Sequence, residues 1–150
     1  MLTIDDEPSE IRYEVAADDL WRTREATIRL GDETIDVAVN DGRWWINDVI
    51  NDDLMGCIDI DLGWTPATNT LPIKRLGLDV GESAQIHTAW LRYPEMSFVS
   101  ATQNYSRVSD RIWRYQSGQA DYELEVTEGV VCRYGDLWWG GVQAAKPGTR

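Results

Sequence analysis

Asp59 and Asp61 stand two residues apart in the stretch Gly56-Cys57-Ile58-Asp59-Ile60-Asp61-Leu62. In an extended chain this spacing places both carboxylates, with Cys57, on one face, and Ile58, Ile60 and Leu62 on the other. Two carboxylates so placed could grip a hard cation, share acid/base work, or accept hydrogen bonds from a neighbouring turn. No third metal ligand follows at close spacing, and the single histidine, His87, leaves no Ser-His-Asp set. No cofactor is expected. Cys57 and Cys132 lie far apart without a CxxC companion and read as reduced, small apolar residues. Arg75 is the natural bidentate partner of either aspartate. Asn69 and Thr70 either satisfy local backbone donors or present polar groups to a hydroxylated ligand.

The elements that must hold these groups are mostly strands. The stretch from Gly56 turns sharply between Gly63 and Pro66 and leads into Thr70–Leu76, the one helical candidate. Thr70 suits its cap, Pro72 an early position, and Gly77 a left-handed close. Elsewhere apolar residues alternate with polar ones. Ile11, Tyr13 and Val15 share one face. Leu20, Arg22, Arg24, Ala26, Ile28 and Leu30 are expected to share a face of the next strand, with Trp21, Thr23 and Thr27 opposite. Asn40-Asp41-Gly42 signals a tight hairpin, and residues 47–53 read as a loop. Further strands are expected from Ala84 to Tyr93, Phe98 to Val108, Arg111 to Gln116, around Tyr122 to Val126, and from Val130 to Leu137. Frequent turns without a long helical period predict an all-β fold, an antiparallel, strongly curved meander with one short helix.

Composition narrows the function classes. The chain has 150 residues, 14 basic against 26 acidic, a net charge of -12, and only Lys74 and Lys146 as lysines. Such a charge repels phosphate backbones and anionic bilayers, so nucleic acid is not an expected partner. Scarce lysine with abundant aspartate points to a halophilic setting, where a Debye length of about 3 Å near molar salt screens the self-repulsion. The acidic start lacks a signal-peptide pattern, and no run approaches the roughly 18 apolar residues of a membrane helix. A cytoplasmic, non-spanning protein is the expectation. The organisation reads as an acidic leader over 1–9, one β domain over 10–141 and a frayed tail over 142–150.

Eight tryptophans against one phenylalanine is the most unusual count. They could fill a wide core, line a pocket for an amphipathic ligand, or make an oligomer contact. Trp90 and Trp113 are the better pocket candidates, with Tyr115, because their strand neighbours mix polar and apolar residues. Trp138 and Trp139, beside Gly140-Gly141, read as an end contact.

The pattern Gly-Cys-Ile-Asp at 56–59, Asp61, Thr65-Pro66, Thr-Asn-Thr-Leu-Pro-Ile at 68–73 and Arg75-Leu76 resembles the putative glycolipid-binding protein family. The resemblance implies a split β-barrel-like sheet around an apolar interior, and a chain entering the family pattern near Ile11 without the first strands. The sheet edge at Ile11 to Val15 would then be covered by a second copy or by the leader. It implies a non-catalytic protein holding a lipid or glycolipid-like molecule in an apolar cavity, with Asp59, Asp61, Asn69, Thr70, Arg75, Trp90, Trp113 and Tyr115 as candidate contacts. Two alternatives stay open: a homo-oligomeric module pairing through the open edge, and a hydrolase using Asp59 and Asp61.

Overall fold

The computed structural model describes residues 11–134 and 138–139, with side chains described as far as Val131. The leader over 1–9, the tail over 142–150, and the side chains of Cys132, Trp138 and Trp139 lie outside the described residues. Ile11–Ala17 (β1), Thr23–Leu30 (β2), Glu33–Asn40 (β3), Arg43–Ile46 (β4) and Val49–Ile50 (β5) form one antiparallel sheet in chain order. Asp59–Leu62 (β6), Ser83–Arg92 (β7), Ser97–Arg107 (β8), Ile112–Ser117 (β9), Ala120–Thr127 (β10), Val130–Tyr134 (β11) and Trp138–Trp139 (β12) form the second, again with neighbours in chain order. The hairpin at Asp41-Gly42 forms as its composition demands. Both residues take positive φ, 55° and 76°, which matches a tight turn to the strands' twist.

One pairing departs from the expected antiparallel meander. β6 runs parallel to β7, from Asp59 opposite Thr88 to Leu62 opposite Leu91. The chain leaves β6 through the 3-10 turn Pro66–Asn69 and the helix Thr70–Leu76 (α1) before re-entering in the same direction. A parallel neighbour requires such a crossover, and here the helix supplies it.

Two cores follow from this arrangement. Ala26, Ile28, Val37, Val39 and Trp44 of the first sheet pack against Ile60, Leu62, Ala89 and Leu91 of β6 and β7. On the opposite face of the second sheet, Ile73 of α1 packs among Ile86, Tyr105, Trp113, Tyr115, Leu124, Val126 and Val131. The second sheet thereby curls as a half-barrel around the helix. β6 is packed on both faces. That is why Asp59 is buried as completely as Ile60.

The entry to β2 also differs from its sequence reading. The Asp18 carboxylate accepts the N–H groups of Leu20 and Arg22 at 2.9 Å each and pairs with Arg22 Nε at 2.8 Å. Residues 18–22 are therefore a loop, with Trp21 at φ 65°. Ala16 pairs with Glu25 but Ala17 with Thr23, so Arg24 is an extra residue and Thr23 turns inward. A bulge of this kind reverses the alternation across it. Within the expected loop at 47–53 lie β5 and the start of a 3-10 turn, Asp52–Leu54.

Candidate functional site

β6 lies at the edge of its sheet, and side-chain hydroxyls occupy its outer side. Ile60 N–H donates to Thr23 Oγ1 and Leu62 N–H to Thr68 Oγ1, both at 3.2 Å. These bonds satisfy donors that would otherwise invite another strand. Gly63 then turns the chain against β7. Its N–H donates to the Leu91 carbonyl at 3.0 Å, and a Cβ there would sit 2.8 Å from that same oxygen. No larger residue fits without moving backbone. Thr65 caps the following turn by accepting Ala67 N–H at 3.1 Å. Thr70 Oγ1 accepts the N–H of Val131, which ties α1 to β11 at 3.2 Å. Gly77 closes the helix at φ 54°.

The two aspartates of β6 face the helix side and meet different partners. Asp59 is fully buried and bound bidentately by Arg75, with Nη2 to Oδ2 at 2.6 Å and Nε to Oδ1 at 3.3 Å. Burial raises its pKa, against the lowering effect of the guanidinium. Asp61 has no cation. Gln103 Nε2 donates to its Oδ2 at 2.6 Å, and the Tyr115 hydroxyl gives a second hydrogen bond. Burial dominates these two bonds and pushes the Asp61 carboxyl up to about 6. Next to it, Asn69 Nδ2 donates to the Tyr105 hydroxyl at 2.6 Å, and the Tyr105 ring meets Tyr115 edge-on at 5.4 Å. Burial, reinforced by the Asp61 charge, holds the Tyr105 phenol well above its ordinary pKa.

This network forms the polar end of a cleft of about 450 Å³. Asp61, Gly63 and Asn69 lie on one side, Tyr115, Ser117 and Tyr122 on the other, with the indoles of Trp64 and Trp90 as walls. Trp64 also stands edge-on to Tyr13 and to Tyr93, each at 6.0 Å, and its Nε1 is buried without a hydrogen-bond partner among the described residues. Of the residues expected from sequence, the structure gathers Asp61, Asn69, Trp90 and Tyr115 at this cleft. Asp59 and Arg75 do not line it. Thr70 bonds to a strand, and Trp113 is buried beneath Arg107 at 5.9 Å, beside a separate cleft. Trp64, Gln103 and Tyr122 were not foreseen. Trp64 carried a usable signal, lying between Gly63 and Pro66. Gln103 and Tyr122 sit in ordinary alternating strands and carried none.

Among the described residues no group of three or more His, Cys, Asp or Glu side chains could hold a metal ion. No helix among them is long and apolar enough to cross a membrane.

A five-stranded sheet packed against β6 and β7 of a seven-stranded one, the latter curled around a short helix with a cleft at its mouth, defines a β half-barrel protein. Within that class the chain belongs to the family described as "Putative glycolipid-binding", whose model matches residues 1–139. It is also similar to the crystal structure of a DUF1089 family protein from Pseudomonas aeruginosa, at 29% identity and a TM-score of 0.80. That match covers 88% of this chain and 77% of the other. Among curated proteins none matches.

Proposed function

We propose that the protein is a non-catalytic binding protein that holds one end of an amphipathic, lipid- or glycolipid-like molecule in the Asp61 cleft. One observation carries this reading: the protein's own side chains leave about 450 Å³ open between two indole walls and a polar end. A site of that size, with few polar groups among aromatic ones, suits a small organic ligand. The family description supports a ligand of lipid or glycolipid type. The sequence suggested an apolar cavity enclosed by a barrel. The cleft is instead partly open and mixed in character, so the reading places the ligand's polar end there and leaves its tail outside.

Native mass spectrometry of the protein purified in high salt tests this reading. A co-purified amphiphile whose occupancy falls in Trp90→Ala is the expected result. Bare protein that also takes up no added amphiphile would overturn it.

An acid/base role is the second reading, favoured by the raised pKa of Asp61 in the cleft. With Asp59 held by Arg75, Asp61 would act without the second carboxylate that most glycoside hydrolysis uses. Turnover of a glycoside or ester that is lost in Asp61→Asn would favour it.

A further inference from the structure

We propose that β1 is a dimerisation edge, along which two copies of the chain pair antiparallel about a two-fold axis at Tyr13 and extend the five-stranded sheet across both. This is independent of the ligand-binding reading. A sheet edge presents a row of N–H and C=O groups that invites another strand, and this fold treats its edges unequally. On β6, Thr23 and Thr68 take up the outward donors of Ile60 and Leu62. β5 and β12 are two residues each, too short to hold a partner strand. β1 is seven residues long, and among the described residues it pairs on one side only, with β2.

The charges along this edge specify a second copy. A closed two-fold contact uses the same patch on both chains, so the patch must be complementary to itself. Arg12 and Glu14 are exposed on the outer face of β1, while Ile11, Tyr13 and Val15 are half-buried on the inner face. Arg12 stands directly opposite Arg29 of β2, a like-charge pair that costs stability. Glu14 stands opposite Thr27, and Asp36 of β3 comes next in that row. An axis at Tyr13 sets Arg12 of each copy opposite Glu14 of the other. The basic row of Arg29 and Arg12 then runs on into the acidic row of Glu14, Thr27 and Asp36, twice per dimer. Moving the axis one residue either way would set Arg12 on Arg12 or Glu14 on Glu14. On the inner face the same axis brings Ile11 against Val15 and Tyr13 against its own copy, adding apolar neighbours to side chains that β2 leaves half-buried. Charges on an edge strand usually repel other strands. Here opposite signs two residues apart admit one register with another copy of the same chain.

Sedimentation equilibrium of the full chain tests the pairing, in about 0.3 M salt so that long-range repulsion between the acidic surfaces is screened. A dimer is expected at protein concentrations up to about 100 μM. Arg12→Glu and Glu14→Arg, each at an exposed position, should each weaken it about tenfold or more, because each sets like charges opposite one another twice. Arg12→Glu lowers the net charge of -12 by two and Glu14→Arg raises it by two. An effect of overall charge would therefore move the two variants in opposite directions, whereas the register moves both the same way. An equimolar mixture of the variants should associate again as a heterodimer, since each supplies the sign that the other lacks. A parent chain that stays monomeric would overturn the proposal and give the edge to another occupant, such as the segment before Ile11. A dimer untouched by both substitutions, or a mixture no tighter than either variant alone, would overturn it by placing the contact on another face.

Discussion

Asp61 and Asp59 begin as equals, two aspartates on one strand face, and end with opposite physical characters. Asp59 has a guanidinium and is a structural ion pair. Asp61 has only neutral donors, and its carboxyl is pushed up to about 6 from an ordinary 3.8. A carboxyl raised in the folded state favours folding while protonated. The stability it contributes is full below about pH 4, declines as pH rises toward about 6, and is absent above that. Replacing Asp61 by Asn keeps the shape and removes the charge. The variant should be more stable than the parent at pH 7.5, by roughly 1–3 kcal/mol, with the difference narrowing toward pH 5. Urea unfolding across that range measures it. Identical curves at every pH would show that burial does not penalise this carboxylate. A group that costs stability and lines a cleft is the pattern of a site held for function.

The crossover that carries α1 is fastened at several points by side chains that a propensity reading treats as loop polarity. Thr68 and Thr70 accept backbone donors from β6 and β11, Asn69 reaches Tyr105, and Arg75 holds Asp59. Together they seat Ile73 in the half-barrel and leave the cleft beside it. Arg75→Leu would strand a buried carboxylate and is expected to cost about 3–5 kcal/mol. The double variant Asp59→Leu with Arg75→Leu should recover most of that loss, because both charges leave together. Chemical denaturation of the two variants gives the comparison. A double variant as unstable as the single one would mean that the pair positions α1 by more than charge. β1, paired on one side among the described residues, retains the edge that a second copy could cover.

The molecule as a whole has a net charge of -12, and exposed acidic residues are spread over both sheets. Unlike the buried ion pair at Asp59, surface repulsion acts through solvent and is screened by salt. Thermal unfolding followed by circular dichroism should therefore show the midpoint rising by several degrees between about 0.1 and 1 M potassium chloride, on the order of 1 kcal/mol for a domain of this size. A midpoint that does not move would remove the reading of the acidic surface as an adaptation to salt.

Legibility followed the range of the interactions. Strand alternation, the Asp41-Gly42 hairpin and the span of α1 are written in neighbouring residues, because a pleated strand repeats every two positions and turns demand particular φ values. That Arg75 would pair with one of the two aspartates was also foreseeable, from carboxylates and a guanidinium joined by one short crossover, but not that the partner would be Asp59. What the sequence alone did not show was the parallel pairing of β6 with β7, the inward turn of Thr23 at the bulge, or the partners of Asp61. Those depend on residues tens of positions apart meeting in space, such as Gln103 on Asp61 and Val131 on Thr70. Local chemistry determined the elements of this protein. Tertiary packing alone decided which of two like aspartates would be neutralised by a cation and which would be left facing an open cleft.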